Sequence, residues 1–193
     1  MKSHFFAYMA RMKYIKRWGI MRNSLDENIQ EHSLQTAMIA HCLAIIKNKM
    51  YSGNLNPERI MALAVYHEAS EVITGDLATP IKYFNPKIKD EYKKIEGFAN
   101  DALFDMLPDE LKPDYETLIK NQESESDNYL IMKAADKLCA YIKCLEELEC
   151  GNDGFLKAKE KIEKDIKAFN LPEVNYFMNT FIESFTLTLD ELN

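Results

Sequence analysis

Two of the four histidines in this chain stand in dense polar company, in Glu31-His32-Ser33 and in Tyr66-His67-Glu68-Ala69-Ser70-Glu71. Neutral imidazole and carboxylate oxygens together suit a divalent transition metal such as Mn, Co or Zn, and such an ion makes water a competent nucleophile near neutral pH. A separate stretch supplies an acid, Asp136, within the strongly periodic apolar run from Asn128 to Cys150. An ionised carboxylate is rarely buried without a cation to face it, and a metal is one such partner, an arginine the other. A lone helical histidine is more often a hydrogen-bonded structural residue than a ligand, so spacing alone leaves both readings open for His32 and His67. His41, deep in an apolar run, and His4, near the terminus, read as structural.

Other metal templates fail on spacing. His67-Glu68 begins like H-E-x-x-H, but the fifth position is Glu71, so the second helical histidine is missing. The Glu-x-x-His pairs of di-iron bundles are absent too, because Ile29 and Ala64 stand three residues before the two histidines. Neither glycine-rich phosphate loop, G-x-x-x-x-G-K-[ST] or G-x-G-x-x-G, occurs. With 24 basic and 31 acidic residues the net charge is −7, which offers no global field to attract a nucleic-acid polymer or an anionic membrane. A phosphate ligand would need local cations or a metal.

The elements that must position these groups read as helices. A chain of 193 residues, 47% hydrophobic, with only Gly 6 and Pro 6, fits one domain and leaves few breaks for a many-stranded sheet. Ser3 to about Lys16 carries Phe5, Met9, Met12 and Ile15 at helical spacing. Asn28-Ile29-Gln30-Glu31 resembles a capping box ahead of a helix to about Lys47, with His32 in its first turn. Asn56-Pro57 launches a helix through Ile60, Ala64 and Val72 that Gly75 can end. That helix would carry His67, Glu68 and Glu71, the first and last on one face. Gly75-Asp76-Leu77-Ala78-Thr79-Pro80 has turn chemistry and reads as an ordered loop below it. Helices over Lys87 to Leu107, from Pro113 to about Lys120, Asn128 to Cys150, Phe155 to Phe169 and Pro172 to Phe185, with a linker-like Gln122 to Asp127, complete an all-α reading. Cys42, Cys139, Cys144 and Cys150 show no C-x-x-C spacing and read as free thiols. With no apolar leader and no run approaching 18 apolar residues, a cytoplasmic location is expected.

Further stretches carry a resemblance: Ser3-His4-Phe5-Phe6, Arg17-Trp18, Met21-Arg22-Asn23, Glu31-His32-Ser33-Leu34-Gln35, Ala69-Ser70-Glu71-Val72, Thr74-Gly75-Asp76-Leu77 and Cys139-Ala140-Tyr141. With them the sequence resembles the HD-domain phosphohydrolases, and more closely the YfbR-like 5'-deoxynucleotidases, over nearly the whole chain. The HD pattern is a first His, a His-Asp doublet and a final Asp, matched here by His32, His67-Glu68 and Asp136. The resemblance implies a single-domain HD helical bundle over 1–193, a homodimer, and removal of phosphate from deoxyribonucleoside 5'-monophosphates with ribonucleotides rejected. It also implies that His32, His67, Glu68 and Asp136 hold one divalent ion and that Glu71 is the general acid/base. Arg17 would grip the phosphate, and Trp18 would pack on the sugar where a 2'-hydroxyl would sit. Asp76, Leu77, Ala78 and Thr79 would contact sugar and base, with His32, Glu68 and Asp136 also bordering the substrate. Without the family, Trp18 would read as a core aromatic.

One position departs from the pattern: Glu68 stands where the family has Asp, one methylene longer. Ligand distances tolerate only about 0.2 Å of error, so the longer side chain must bend, move the ion, or fail to bind. A working site with altered metal preference is the expected outcome. Another HD nucleotide phosphohydrolase, or a non-catalytic nucleotide-binding protein, are the alternatives.

Overall fold

Residues 2–82, 84–120 and 122–192 are described by the computed structural model, and their regular structure is helical apart from one isolated antiparallel bridge between Lys16 and Asn28. The first segment is a short helix, α1 (Phe5–Met9), tightening into a 3₁₀ turn over Ala10–Tyr14, rather than one helix to Lys16. Helix α2 (Ile29–Met50) opens on the expected capping box. The Asn28 side chain accepts from the Gln30 and Glu31 backbone N–H groups, both at 3.0 Å, and Glu31 accepts from the Asn28 N–H at 3.3 Å. Asn56, accepting from the Arg59 N–H at 2.9 Å, and Pro57 start α3 (Pro57–Tyr66) in a similar way.

The expected continuation of α3 to Gly75 does not form. The helix stops at Tyr66, the chain turns through 67–70, and a single further turn follows, α4 (Glu71–Thr74). The cause is local: His67 Nδ1 donates to the Ala64 carbonyl at 2.7 Å, taking an acceptor that a continuing helix would give to a backbone N–H. Bonds from Ala69 N to Tyr66 O and from Glu71 N to Glu68 O, both 3.0 Å, tighten the path to i→i+3. Gly75 closes α4 with φ 72°, a conformation glycine adopts without steric cost. The loop after it is ordered, but its end winds into α5 (Thr79–Lys82).

The chain continues through α6 (Pro86–Asp105), α7 (Lys112–Ile119), α8 (Ser126–Glu149), α9 (Leu156–Ala168) and α10 (Pro172–Phe181), with 3₁₀ turns at Gln122–Ser124, Asp153–Phe155 and Ile182–Thr186. Helix α8 thus starts earlier than expected, inside the stretch read as a linker, and the last two helices begin or end in 3₁₀ turns. Helices α2, α3 and α8 meet through small and branched apolar residues: Ala40, Leu43 and Ala44, then Ile60 and Ala64, then Ala134, Ala135 and Leu138, all fully buried. Alanines at these contacts let the axes approach closely, which brings the polar ends of the three elements together. A second cluster, with Phe5, Ile29, Leu63 and Leu103, fixes α1 and α6 against the start of α2.

The segment between the first 3₁₀ turn and α2 has little regular structure, and α8 holds it from outside. The fully buried Glu147 accepts from the Ser24 and Leu25 backbone N–H groups at 2.8 and 3.0 Å, from the Asn152 amide at 2.7 Å, and from the Lys143 ammonium one turn away. Burial would push its carboxyl up, but Lys143 and these N–H donors outweigh it and hold it down at about 2. Such a group stabilises the fold above its unfolded pKa, roughly 4.3, and loses that contribution as pH falls toward about 2. The urea midpoint is therefore expected to fall progressively below about pH 5, and Glu147→Gln to flatten that slope. A variant that follows the wild-type slope would place the acid sensitivity elsewhere.

Candidate metal centre

His32 comes from the first turn of α2, His67 and Glu68 from the turn that ends α3, and Asp136 from α8. One ligand atom from each of the four lies within 4.8 Å of the others. His32 Nε2 is 3.1 Å from Asp136 Oδ1, while His67 Nε2 is 3.2 Å from Glu68 Oε1 and 3.9 Å from Asp136 Oδ1. His67 Nδ1 donates to the Ala64 carbonyl, which leaves Nε2 to face these two carboxylates, buried with no hydrogen-bond partner. An unprotonated Nε2 there sets acceptor against acceptor, and a cation among them relieves the repulsion. The residues therefore fit a divalent ion, and a set of two imidazoles and two carboxylates suits Mn, Co or Zn. His32 is oriented in turn: its Nδ1 lies 3.4 Å from Glu27 Oε1, the arrangement that directs Nε2 into the cluster.

Asp136 has a further partner besides a metal or an arginine. Lys133, one turn earlier on α8, places its ammonium 2.8 Å from Asp136 Oδ2. Burial would raise the Asp136 carboxyl, but Lys133 and the two imidazoles outweigh it and hold it well below the usual carboxylate range.

Glu68 and Glu71 form a second pair. Burial, and then the Glu68 charge, push the Glu71 carboxyl up to about 11. Despite its own burial, Glu68 is held well below the ordinary value by His67, by its hydrogen bond with Glu71, and by Arg17. Two carboxyls this close share one proton, and Glu71 keeps it.

Arg17 lies between Glu27, with Nε to Oε2 at 3.5 Å, and Glu68, with Nη1 to Oε1 at 3.7 Å. Burial works against its charge, but Glu68, Glu27, Asp136 and Asp76 outweigh it, so the guanidinium stays cationic. Trp18 occupies the left-handed region at φ 58°, a conformation that costs a bulky residue energy. Its indole N–H donates to Glu27 Oε2 at 3.0 Å, and its ring packs 5.3 Å from Phe155, so it belongs partly to the core after all.

Beside the cluster lies a cavity of about 320 Å³ whose wall includes Arg17, Trp18, Glu68, Glu71, Asp136 and the run Asp76, Leu77, Ala78 and Thr79. His32, fully buried, and His67 lie behind this wall and not on it. Lys82 and Lys133 add positive charge to the lining. Among the residues that position this site, Glu27 and Lys133 were missed by sequence reasoning. The i,i+3 spacing of Lys133 to Asp136 was a usable signal, whereas Glu27 read only as an acid near the α2 cap.

A helical fold that gathers a His, a His-acid doublet and a distant Asp around one centre is an HD domain. Solved structures agree on the fold: an HD-domain phosphohydrolase from Listeria innocua matches with a TM-score of 0.82 at 19% identity, covering 94% of this chain and 88% of that one. The cyanophage S-2L HD phosphohydrolase bound to dA and one catalytic Zn²⁺ ion matches at 0.62 and 16% identity, covering 92% and 96%. The model of the YfbR-like 5'-deoxynucleotidases matches residues 4–185, and the chain belongs to that family. It is 56% identical over 192 residues to a 5'-deoxynucleotidase of Photobacterium profundum, covering 100% of this chain and 99% of the relative. It is 55% identical over 191 residues to a 5'-deoxynucleotidase of Yersinia pestis, covering 99% and 97%.

Thermal melts test the metal fit directly. Mn, Co or Zn at about 100 times its dissociation constant should stabilise the fold by about 2.7 kcal/mol, and His67→Ala or Asp136→Asn should abolish the shift. Glu68→Asp should enlarge it at equal metal concentration if the extra methylene strains the site. No shift with any of the three ions would remove the metal reading.

Proposed function

We propose that the protein is a metal-dependent 5'-deoxynucleotidase, a phosphoric monoester hydrolase that converts deoxyribonucleoside 5'-monophosphates to deoxynucleoside and phosphate. The observation that carries this reading is the convergence of two imidazoles and two carboxylates beside a cationic arginine, a protonated glutamate and a nucleotide-sized cavity. The family to which the chain belongs, and the activity named for relatives at 55% identity and above, support the same substrate class.

His32 Nε2, His67 Nε2, Glu68 and Asp136 would hold the ion. When bound, a divalent ion there supplies Lewis-acid chemistry, lowering the pKa of water and offsetting charge on phosphoryl oxygens. The other steps belong to the chain's own side chains. Arg17 binds phosphate oxygens through a planar fork suited to bidentate contact, and Lys133 adds a second positive charge near them. Glu71 carries a proton in the cavity wall and can deliver it to the leaving 5'-oxygen, so the nucleoside departs as a neutral alcohol. Trp18 packs against the sugar and leaves no room for a 2'-hydroxyl, while Asp76, Leu77, Ala78 and Thr79 contact sugar and base. Glu68 and Asp136 border the substrate from the cavity wall, whereas His32, expected to border it too, is fully buried behind that wall and does not reach it.

The same reading extends to the assembly and the compartment. Leu34, Met38 and Ile45 lie four and seven residues apart on one face of α2 and are 60%, 58% and 39% exposed, an apolar stripe that suits a homodimer. Residues 1–193 act as one domain, since α10 contributes Val174 and Phe177 to the core that supports α2 and α8. All four cysteines are free, which fits a reducing cytoplasm. No described helix is long and apolar enough to cross a membrane.

A phosphate-release screen over deoxy- and ribonucleoside monophosphates with Mn, Co and Zn tests the activity. Phosphate should appear from several deoxynucleotides, scarcely from ribonucleotides, and not in excess chelator. Pyrophosphate or tripolyphosphate from longer substrates would instead mark a different HD phosphohydrolase, and no turnover of any nucleotide a binding protein. Glu71→Ala should lower kcat by about 10²-fold or more while the metal-induced thermal shift persists. Full turnover in that variant would end the proton-donor role.

A further inference from the structure

We propose that Glu27 is the positioning residue of this site, one carboxylate that sets the phosphate-binding arginine, the sugar-facing tryptophan and a metal-facing histidine together. The inference rests on the function proposed above and adds to it a residue from outside the HD pattern. Glu27 sits in the irregular segment before α2, and its side chain is only 13% exposed. Its backbone carbonyl accepts from the Arg17 N–H at 2.9 Å, next to the bridge between Lys16 and Asn28, so the chain returns on itself at this point. Its carboxylate then meets three donors: Trp18 Nε1 at 3.0 Å, His32 Nδ1 at 3.4 Å and Arg17 Nε at 3.5 Å.

Each contact has a consequence for the group it touches. Arg17 Nε and His32 Nδ1 are buried atoms without a hydrogen-bond partner among the described residues, so the Glu27 charge, 3.5 and 3.4 Å away, is what compensates them. A His32 proton held on Nδ1 leaves Nε2 free as a ligand facing Asp136. Arg17, engaged on its Nε side, presents its Nη atoms toward Glu68 and the cavity. Trp18 keeps its positive φ because the indole is tied at one edge, while its carbonyl accepts from Met21 N at 2.8 Å and Asn23 Nδ2 at 3.2 Å. A neutral amide in place of the carboxylate cannot satisfy three donors, because its nitrogen presents N–H groups where an acceptor is needed.

The test is Glu27→Gln, of the same size, read in three ways. Mn²⁺ affinity, measured by competition with a chelating dye in the absence of nucleotide, should fall ten- to a hundredfold, the range typical of residues that orient metal-facing histidines. Trp18 is the one tryptophan in the chain, so intrinsic fluorescence reports on it alone. Its emission should shift to the red and its quenching by acrylamide should rise. The ratio of kcat/KM for dAMP over AMP should drop at least tenfold. Glu27→Asp, which keeps the charge one methylene short, should recover Mn²⁺ affinity more than it recovers discrimination, and it carries the same three readings should the glutamine variant not fold. Wild-type Mn²⁺ affinity together with wild-type discrimination in Glu27→Gln overturns the proposal. Failure of the wild type itself to prefer dAMP overturns the proposed function instead, while the dye and quenching readings still judge Glu27.

Discussion

His67 Nε2 faces the oxygens of Glu68 and Asp136, 3.2 and 3.9 Å away, and is buried without a hydrogen-bond partner. A gathering of acceptors of this kind can hold a divalent cation, and much of the surrounding structure answers the charge concentrated there. Carboxylates crowd it: Glu27, Glu68, Asp76 and Asp136 all bear on Arg17, and their combined field keeps the guanidinium charged despite its burial. Lys133 answers Asp136 from the other side. Glu71 is pushed the other way, toward its protonated form, by its burial and then by the Glu68 charge beside it. The crowded carboxylates that could hold a metal therefore also favour a protonated acid beside them.

The scaffold holds these charges by ordinary packing. Alanines in α2, α3 and α8 let three helices approach closely, and the polar groups project where the apolar contact ends. The break after Tyr66 matters as much as the helices do. By taking the Ala64 carbonyl, His67 ends its own helix and leaves Nε2 to face the cluster, so one hydrogen bond shapes both backbone and side chain. On the far flank, Glu147 and Lys143 clamp the segment that carries Arg17, Trp18 and Glu27 onto α8.

What was legible in the sequence was what depends on near neighbours. The Asn28 and Asn56 caps and the helical runs of α2 and α8 are local, and they stand close to where the sequence places them. The gathering of His32, His67, Glu68 and Asp136 came through a family pattern, since spacing alone left each histidine open. The interruption at His67 was not legible, because it depends on a side chain bonding a carbonyl three residues back inside an otherwise helical pattern. Glu27 was invisible for a different reason. Its three partners meet it only because the chain folds back at the bridge between Lys16 and Asn28. Trp18 proved to be both things at once, a ring packed on Phe155 and a wall of the cavity.

The glutamate at position 68 keeps its place in the cluster in spite of its extra methylene, with Oε1 reaching both His67 and Arg17. Anomalous diffraction from crystals grown with Mn²⁺ would test the central claim most directly. The account expects a single strong peak bounded by His32 Nε2, His67 Nε2 and Asp136; a peak elsewhere, or none at saturating Mn²⁺, would contradict it.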